Sequence, residues 1–378
     1  MFIALCAAGA LYAQEKTLEF SGEMKTGLYY ERVTYDDDLR SDRDEVAKMH
    51  NNDGDSGDNE GRFRLNLHLM NNNLNMGMKI RFQQTVWSGA SPNVWDFAFA
   101  YGNFINDQLK VTIGKLGESP WSAGGPDIWQ EMEGGLIGIR TEIKPNILPG
   151  LNVGFVLNGW CGPNGETVYY YNKDNLDDIL RETVVGISYT HDYFHARFSW
   201  RFDGDADVYN DMQAGMDMMY RLEERILKNY IEGFSIWANG WWKGIGPDDR
   251  IRKDEFMTYR NWLYIQYAPH AFTTQLRLGL DVLHKRQVVK ARANFYYNIF
   301  PWMFAGVSVK YENEMGEIRT VKDVAFLNVG VEPQIRFTLN PNAYIALVYS
   351  YDWDYVREAG NQMMKESQKF NLRTVYSF

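Results

Sequence analysis

The residues with the most to offer chemically are basic and fall two apart or singly in short apolar stretches: Arg62 and Arg64, Lys79 and Arg81, then Arg140, Arg197, Arg201, Arg277, Arg292 and Arg336. A spacing of two puts both side chains on one face of an extended strand. A second group lies between Gly117 and Gly134, where Glu118, Asp127, Glu131 and Glu133 accompany Trp121 and Trp129. Cations on a wall facing acids on a loop perform no covalent step. They make a field that orients dipoles and sorts ions, limited by screening to about 8–10 Å. Covalent chemistry has no such footing. His68 and His195 fall in the polar phase of their stretches, but no Ser–His or Asp–His set goes with them, so no enzyme is expected.

Two further clusters each admit two readings. Trp237, Trp241, Trp262 and Tyr264 share the polar phase of neighbouring stretches. An aromatic track in a wet interior would stack sugar rings. A girdle at an apolar–water boundary, or a register slip at a bulge, gives the same spacing. Asp53, Asp55, Gly57 and Asn59 resemble the start of a calcium loop, yet the bidentate Glu at the expected distance is missing. A solvated acidic loop is the simpler reading, and no metal or cofactor is expected.

The elements that must position these residues repeat along the chain. Phe63, Leu65, Leu67 and Leu69 alternate with Arg62, Arg64, Asn66 and His68; Met76, Met78, Ile80 and Phe82 alternate with Lys79, Arg81 and Gln83. About 18 such stretches, each near the roughly 9–11 residues of a tilted spanning strand, run from Thr17–Tyr30 to Lys369–Phe378; 16 is the alternative count. Asp211–Tyr230 also fits a helix, but an even strand number keeps both chain ends on one rim, which favours a strand. Connections alternate short (Asn71–Asn73, Pro145–Gly150, Asn340–Asn342) and long (Glu31–Gly61, Gly117–Gly134, Cys161–Glu182, Asp352–Glu366). Short turns on one rim and long loops on the other fit a membrane barrel. An open sheet in hydrocarbon would leave unsatisfied amides at its edges, so the sheet must close.

Composition agrees. Of 378 residues, 15% are aromatic, and no apolar run is long enough for a spanning helix. The formal charge is -10, but much of it comes from the acidic segment Glu31–Glu60. The predicted wall is net basic: Arg221, Arg260, Lys290, Lys310 and Arg373 join the cations above, against Glu19, Glu23, Glu142, Glu223, Asp281, Glu312 and Glu332. No basic footprint for nucleic acid is present. Residues 1–13 read as a signal peptide cut after Ala13. Cys161 is then the only cysteine left, so no internal disulfide is expected. Residues 14–378 make a single domain: an all-β antiparallel transmembrane barrel whose 117–134 loop folds inward as a constriction.

Two motifs carry a family resemblance. VTIGKLGESP (Val111–Pro120) is similar to the strand and Gly-Arg step leading into the third loop of Gram-negative outer-membrane porins, with Lys115 where that family usually has Arg. KFNLRTVYSF (Lys369–Phe378) is similar to their terminal strand, whose final aromatic is read by the barrel assembly machinery. The chain resembles porins over nearly its whole mature length, and its strand number is nearer the 18-stranded sugar and substrate-selective members. The resemblance implies an outer-membrane channel passing small hydrophilic solutes or ions, surrounded by lipid, with long loops outside, both termini periplasmic and assembly as a homotrimer. A saccharide-selective channel and a surface adhesin built on the acidic first loop are the alternatives.

Overall fold

The structure is a computed structural model that describes residues 16–35, 43–47, 62–85, 95–117, 119–123, 137–160, 183–203, 215–245, 257–269, 271–283, 286–316, 325–358 and 361–378. Among the described residues there are nineteen strands, in chain order β1 (Lys16–Tyr35), β2 (Arg43–Ala47), β3 (Arg62–Asn71), β4 (Met76–Thr85), β5 (Trp95–Phe104), β6 (Leu109–Lys115), β7 (Ile137–Ile143), β8 (Leu151–Trp160), β9 (Val184–Thr190) and β10 (Phe194–Asp203). They continue as β11 (Gly215–Glu224), β12 (Phe234–Ile245), β13 (Met257–Tyr267), β14 (Phe272–Leu283), β15 (Arg286–Phe300), β16 (Met303–Gly316), β17 (Ala325–Asn340), β18 (Ala343–Glu358) and β19 (Asn361–Ser377).

Neighbours in sequence pair antiparallel from β3 to β19, and β19 returns to β1, which pairs with β3. The result is a closed barrel of 18 strands with one extra strand, β2, outside that count. β2 pairs with Tyr29–Val33 of β1, beyond the point where β3 stops. The closing seam runs from Glu23↔Ser377 to Tyr35↔Lys365. At its lower end Gly22 N–H donates to Phe378 O (2.7 Å) and Phe378 N–H donates to Gly22 O (3.0 Å). The Phe378 ring lies over Gly22, where a Cβ would come within 2.3 Å of it.

Alternation explains why these residues form strands. Leu276, Leu278 and Leu280 of β14 are exposed on the outer face, while Arg277 and Asp281, in the alternate phase, are buried on the inner one. The same phase puts Phe20, Leu28, Ile113, Ile139, Val329 and Tyr349 outside. The outer face is thus an apolar band.

The wall is uneven in height. β6, β7 and β9 have seven residues each, whereas β17 and β18 have 16, β19 has 17 and β1 has 20. This corrects one expectation. Asp352–Glu366 is not a long loop: the β18–β19 ladder continues through Asp354↔Lys365 to Glu358↔Asn361. The ambiguous Asp211–Tyr230 stretch divides, with β11 ending at Glu224 and a one-turn helix, α1 (Ile226–Tyr230), making the turn to β12. The proposed signal peptide and most of the acidic first loop fall outside the described residues.

Candidate pore lining and constriction

After β6 the chain leaves the wall and turns into the barrel. Gly114, at φ +134°, takes a conformation that other residues rarely adopt, and a Cβ there would meet Ala98 O at 2.4 Å. Beyond it, Leu116, Trp121 and Ala123 join Val156, Val184, Met219, Trp262 and Tyr264 in one apolar cluster, flanked by Phe99, Trp237 and Trp241. Trp121 is the bolt of this cluster, with no exposed surface. Its seat is a row of small residues on successive strands: Gly154 opposite Gly186, and Gly186 opposite Ser199. A Cβ on Gly186 would come within 2.1 Å of the Trp121 ring, and one on Gly154 within 2.6 Å. The inner wall of β8–β10 is hollowed to receive that indole.

Two arginines pin the segment. Arg140 Nη1 donates to Gly117 O (2.9 Å) and Arg197 Nη1 donates to Ser122 O (3.2 Å). Arg140 is itself only 2% exposed and lies 3.1 Å from Glu142, which Lys110 approaches to 3.8 Å. The Arg140–Glu142 contact is Coulombic, since neither facing atom makes an aligned hydrogen bond. Arg140 and Arg197 therefore hold the segment as well as lining the wall.

The aromatics expected in the polar phase do face inward. Trp237 stacks on Tyr264 (centroids 3.6 Å, 9° between planes), with the Arg221 guanidinium 4.2 Å from the Trp237 ring. They are not an open stripe, because Trp262 and Tyr264 are buried beneath the inward segment. The girdle and register-slip readings are set aside: Trp237↔Tyr264 and Asn239↔Trp262 pair in unbroken register.

The remaining wall is charged. Arg260 meets Asp281 (2.9 Å), Asp281 meets Lys290 (3.3 Å), and Lys290 meets Glu312 (3.4 Å), a chain across four strands. Arg292 approaches Glu332 (3.9 Å), Lys310 Asp352 (2.6 Å), Lys365 Asp354 (3.3 Å) and Lys369 Glu31 (3.7 Å). Arg277 Nε donates to Gln275 Oε1 (3.0 Å). Some cations of β3, β4 and β17 also have neutral partners. Arg81 Nε donates to Asn66 (2.8 Å) with Phe97 beside it, Arg64 donates to Gln83, and Arg336 lies 4.2 Å from the Tyr344 ring. Lys79, Arg336 and Arg373 have no carboxylate within 4.0 Å among the described residues. Sequence alone could not divide the cations in this way, because the division depends on which strands end up side by side. Arg62 and Arg201 lie in β3 and β10, but their side chains are outside the described residues, as are Glu118, Asp127, Trp129, Glu131 and Glu133.

Neither a family model nor a curated protein sequence matches the chain. Solved structures do. Pseudomonas aeruginosa OpdK, determined with vanillate, superposes with a TM-score of 0.54 at 11% identity, over 95% of this chain and 98% of that one. Acinetobacter baumannii OccAB4 does so with a TM-score of 0.51 at 10% identity, over 96% of this chain and 99% of that one. The likeness is one of fold. These neighbours are outer-membrane porins, and this chain shares their barrel architecture along nearly its full length.

Proposed function

We propose that the protein is an outer-membrane porin, a water-filled channel through which small hydrophilic solutes and ions diffuse passively. The observation that carries this is the closed 18-strand barrel, apolar outside and charged inside, with one segment folded into it. A barrel of this width is too wide for wall side chains to fill, and the described inward segment packs against one side of it. The passage runs between that segment and the charged wall of β14–β19, β1, β3 and β4. The cations without carboxylate neighbours give it an anion preference. The acids expected to complete a transverse field, Glu118, Asp127, Glu131 and Glu133, lie outside the described residues. The chain performs no covalent catalysis in this reading.

The remaining assignments follow the same reading: export by the 1–13 signal peptide, insertion by the barrel assembly machinery through Phe378, termini periplasmic, long loops outside, and assembly as a homotrimer. The saccharide alternative loses its proposed track, since Trp262 is packed beneath the inward segment. The purified protein in a planar bilayer tests the proposal. Open steps scaling with salt, and a reversal potential of anionic sign in a KCl gradient, are expected. A silent bilayer would refute the channel, and clear cation selectivity would refute the basic passage.

A further inference from the structure

His195 stands where three parts of the barrel interior meet. It projects inward from β10 and lines a cavity of about 420 Å³ that also touches Pro120 of the inward segment, Thr190 of β9 and Lys144 of the β7–β8 turn. The ring therefore borders open space and not sealed core. Arg197, two residues along the same face, donates from Nε to His195 Nε2 (3.2 Å), and its Nη2 lies 3.5 Å from His195 Nδ1. The same guanidinium holds Ser122 O through Nη1 (3.2 Å). On the other side Glu223 of β11, the register partner of His195, comes within 3.6 Å of Nδ1 and is itself 2.9 Å from Arg221.

We propose that His195 is a proton-operated switch on the inward segment: neutral, it holds Arg197 on Ser122 O; protonated, it turns to Glu223 and lets the segment loosen. A ring nitrogen that accepts must keep its lone pair, so the bond from Arg197 belongs to the neutral imidazole, with its proton on Nδ1 toward Glu223. Imidazole changes charge between about pH 5 and pH 8. Once protonated, both nitrogens are donors. Arg197 then loses its acceptor and meets a like charge, while Glu223 gains a cationic partner. The charged groups facing the ring are Arg197 on its own strand, Glu223 with Arg221 behind it on β11, and Lys144 on the turn. From β9 it meets only the neutral Ser188 and Thr190, and the Glu118 side chain of the inward segment lies outside the described residues. Trp121 and Arg140 keep their hold in either state, so acid loosens the segment and does not expel it. The switch needs only the packing of residues 116–123 against the wall, not a conducting pore.

Hydrogen exchange read by mass spectrometry, on the purified full chain in detergent micelles, tests the switch. After correction for intrinsic rates, peptides covering residues 116–123 should exchange about tenfold faster at about pH 5 than at about pH 7.5. His195→Gln, whose amide oxygen can still accept from Arg197 but takes up no proton, should abolish the difference. Glu223→Gln should move its midpoint to lower pH, because the imidazolium loses its counter-charge. Each variant is checked for folding by heat-modifiable gel migration. Equal protection at the two pH values in the wild type, a difference that survives in folded His195→Gln, or a midpoint unmoved or raised in folded Glu223→Gln would each overturn the proposal. The wild-type comparison decides even if neither variant folds. Conductance on the same preparation keeps the two readings apart: open steps with pH-independent protection refute the switch alone, and pH-dependent protection without steps refutes the channel alone.

Discussion

Trp121 concentrates more structural consequence than any other single side chain of the inward segment. Truncating a fully buried tryptophan removes about 3–5 kcal/mol, so Trp121→Ala should release the segment from β8–β10 and raise single-channel conductance. Gly186→Val should act in the same direction without touching the tryptophan, because its side chain would occupy the space of the indole. Current steps unchanged in both variants would mean that the segment does not limit the passage. Arg140 and Glu142 make a sharper case. Breaking a buried pair by removing one partner costs about 3–5 kcal/mol, whereas replacing both with apolar residues is often close to neutral. Arg140→Leu should therefore destabilise more than the Arg140→Leu, Glu142→Leu double variant in urea unfolding followed by tryptophan fluorescence. The inward direction of these side chains was legible from the period-two pattern of β7. Their burial was not, because it arises when residues 116–123 pack against strands far along the chain.

Among elements, the inner wall holds cations with and without carboxylate partners, and the difference yields a prediction about ions. On β13–β16, acids and bases answer each other strand by strand, so neutralising one cation there would leave a carboxylate without its partner. Lys79, Arg336 and Arg373 have no such neighbours among the described residues. The triple variant Lys79→Gln, Arg336→Gln, Arg373→Gln should move the reversal potential toward cations. The shift should be largest at 0.1 M salt and small at 1 M, where the screening length falls from about 10 Å to about 3 Å. A reversal potential indifferent to these changes would place the selectivity elsewhere. Strand number and face were readable in advance because an apolar outer surface and a polar inner one impose alternation. β2 and the upper ends of β18 and β19 were not, since above the apolar band both faces can be polar. Tyr351–Tyr355 keep pairing there, with Asp354 meeting Lys365 across the ladder (3.3 Å).

For the whole molecule, wall height is the feature with a measurable outcome. Seven tilted residues rise roughly 16 Å, short of the apolar band of about 25 Å that a bilayer meets on barrels. In the proposed membrane setting, the outer faces of β6 and β7, with Ile113 and Ile139 exposed, need cover that lipid supplies poorly, and a second copy in the proposed trimer would supply it. Ile139→Cys should then cross-link between copies in membranes far more readily than Leu347→Cys on the tall side. Equal cross-linking at both positions would remove this face as the contact.

The seam carries a temporal consequence. Gly22 and Phe378 exchange two hydrogen bonds although almost the entire polypeptide lies between them. Until β19 meets β1, the sheet has two raw margins, each able to recruit any extended stranger. Such a chain cannot settle piece by piece as it emerges. The closing of that seam is also the moment it stops being a hazard to its neighbours.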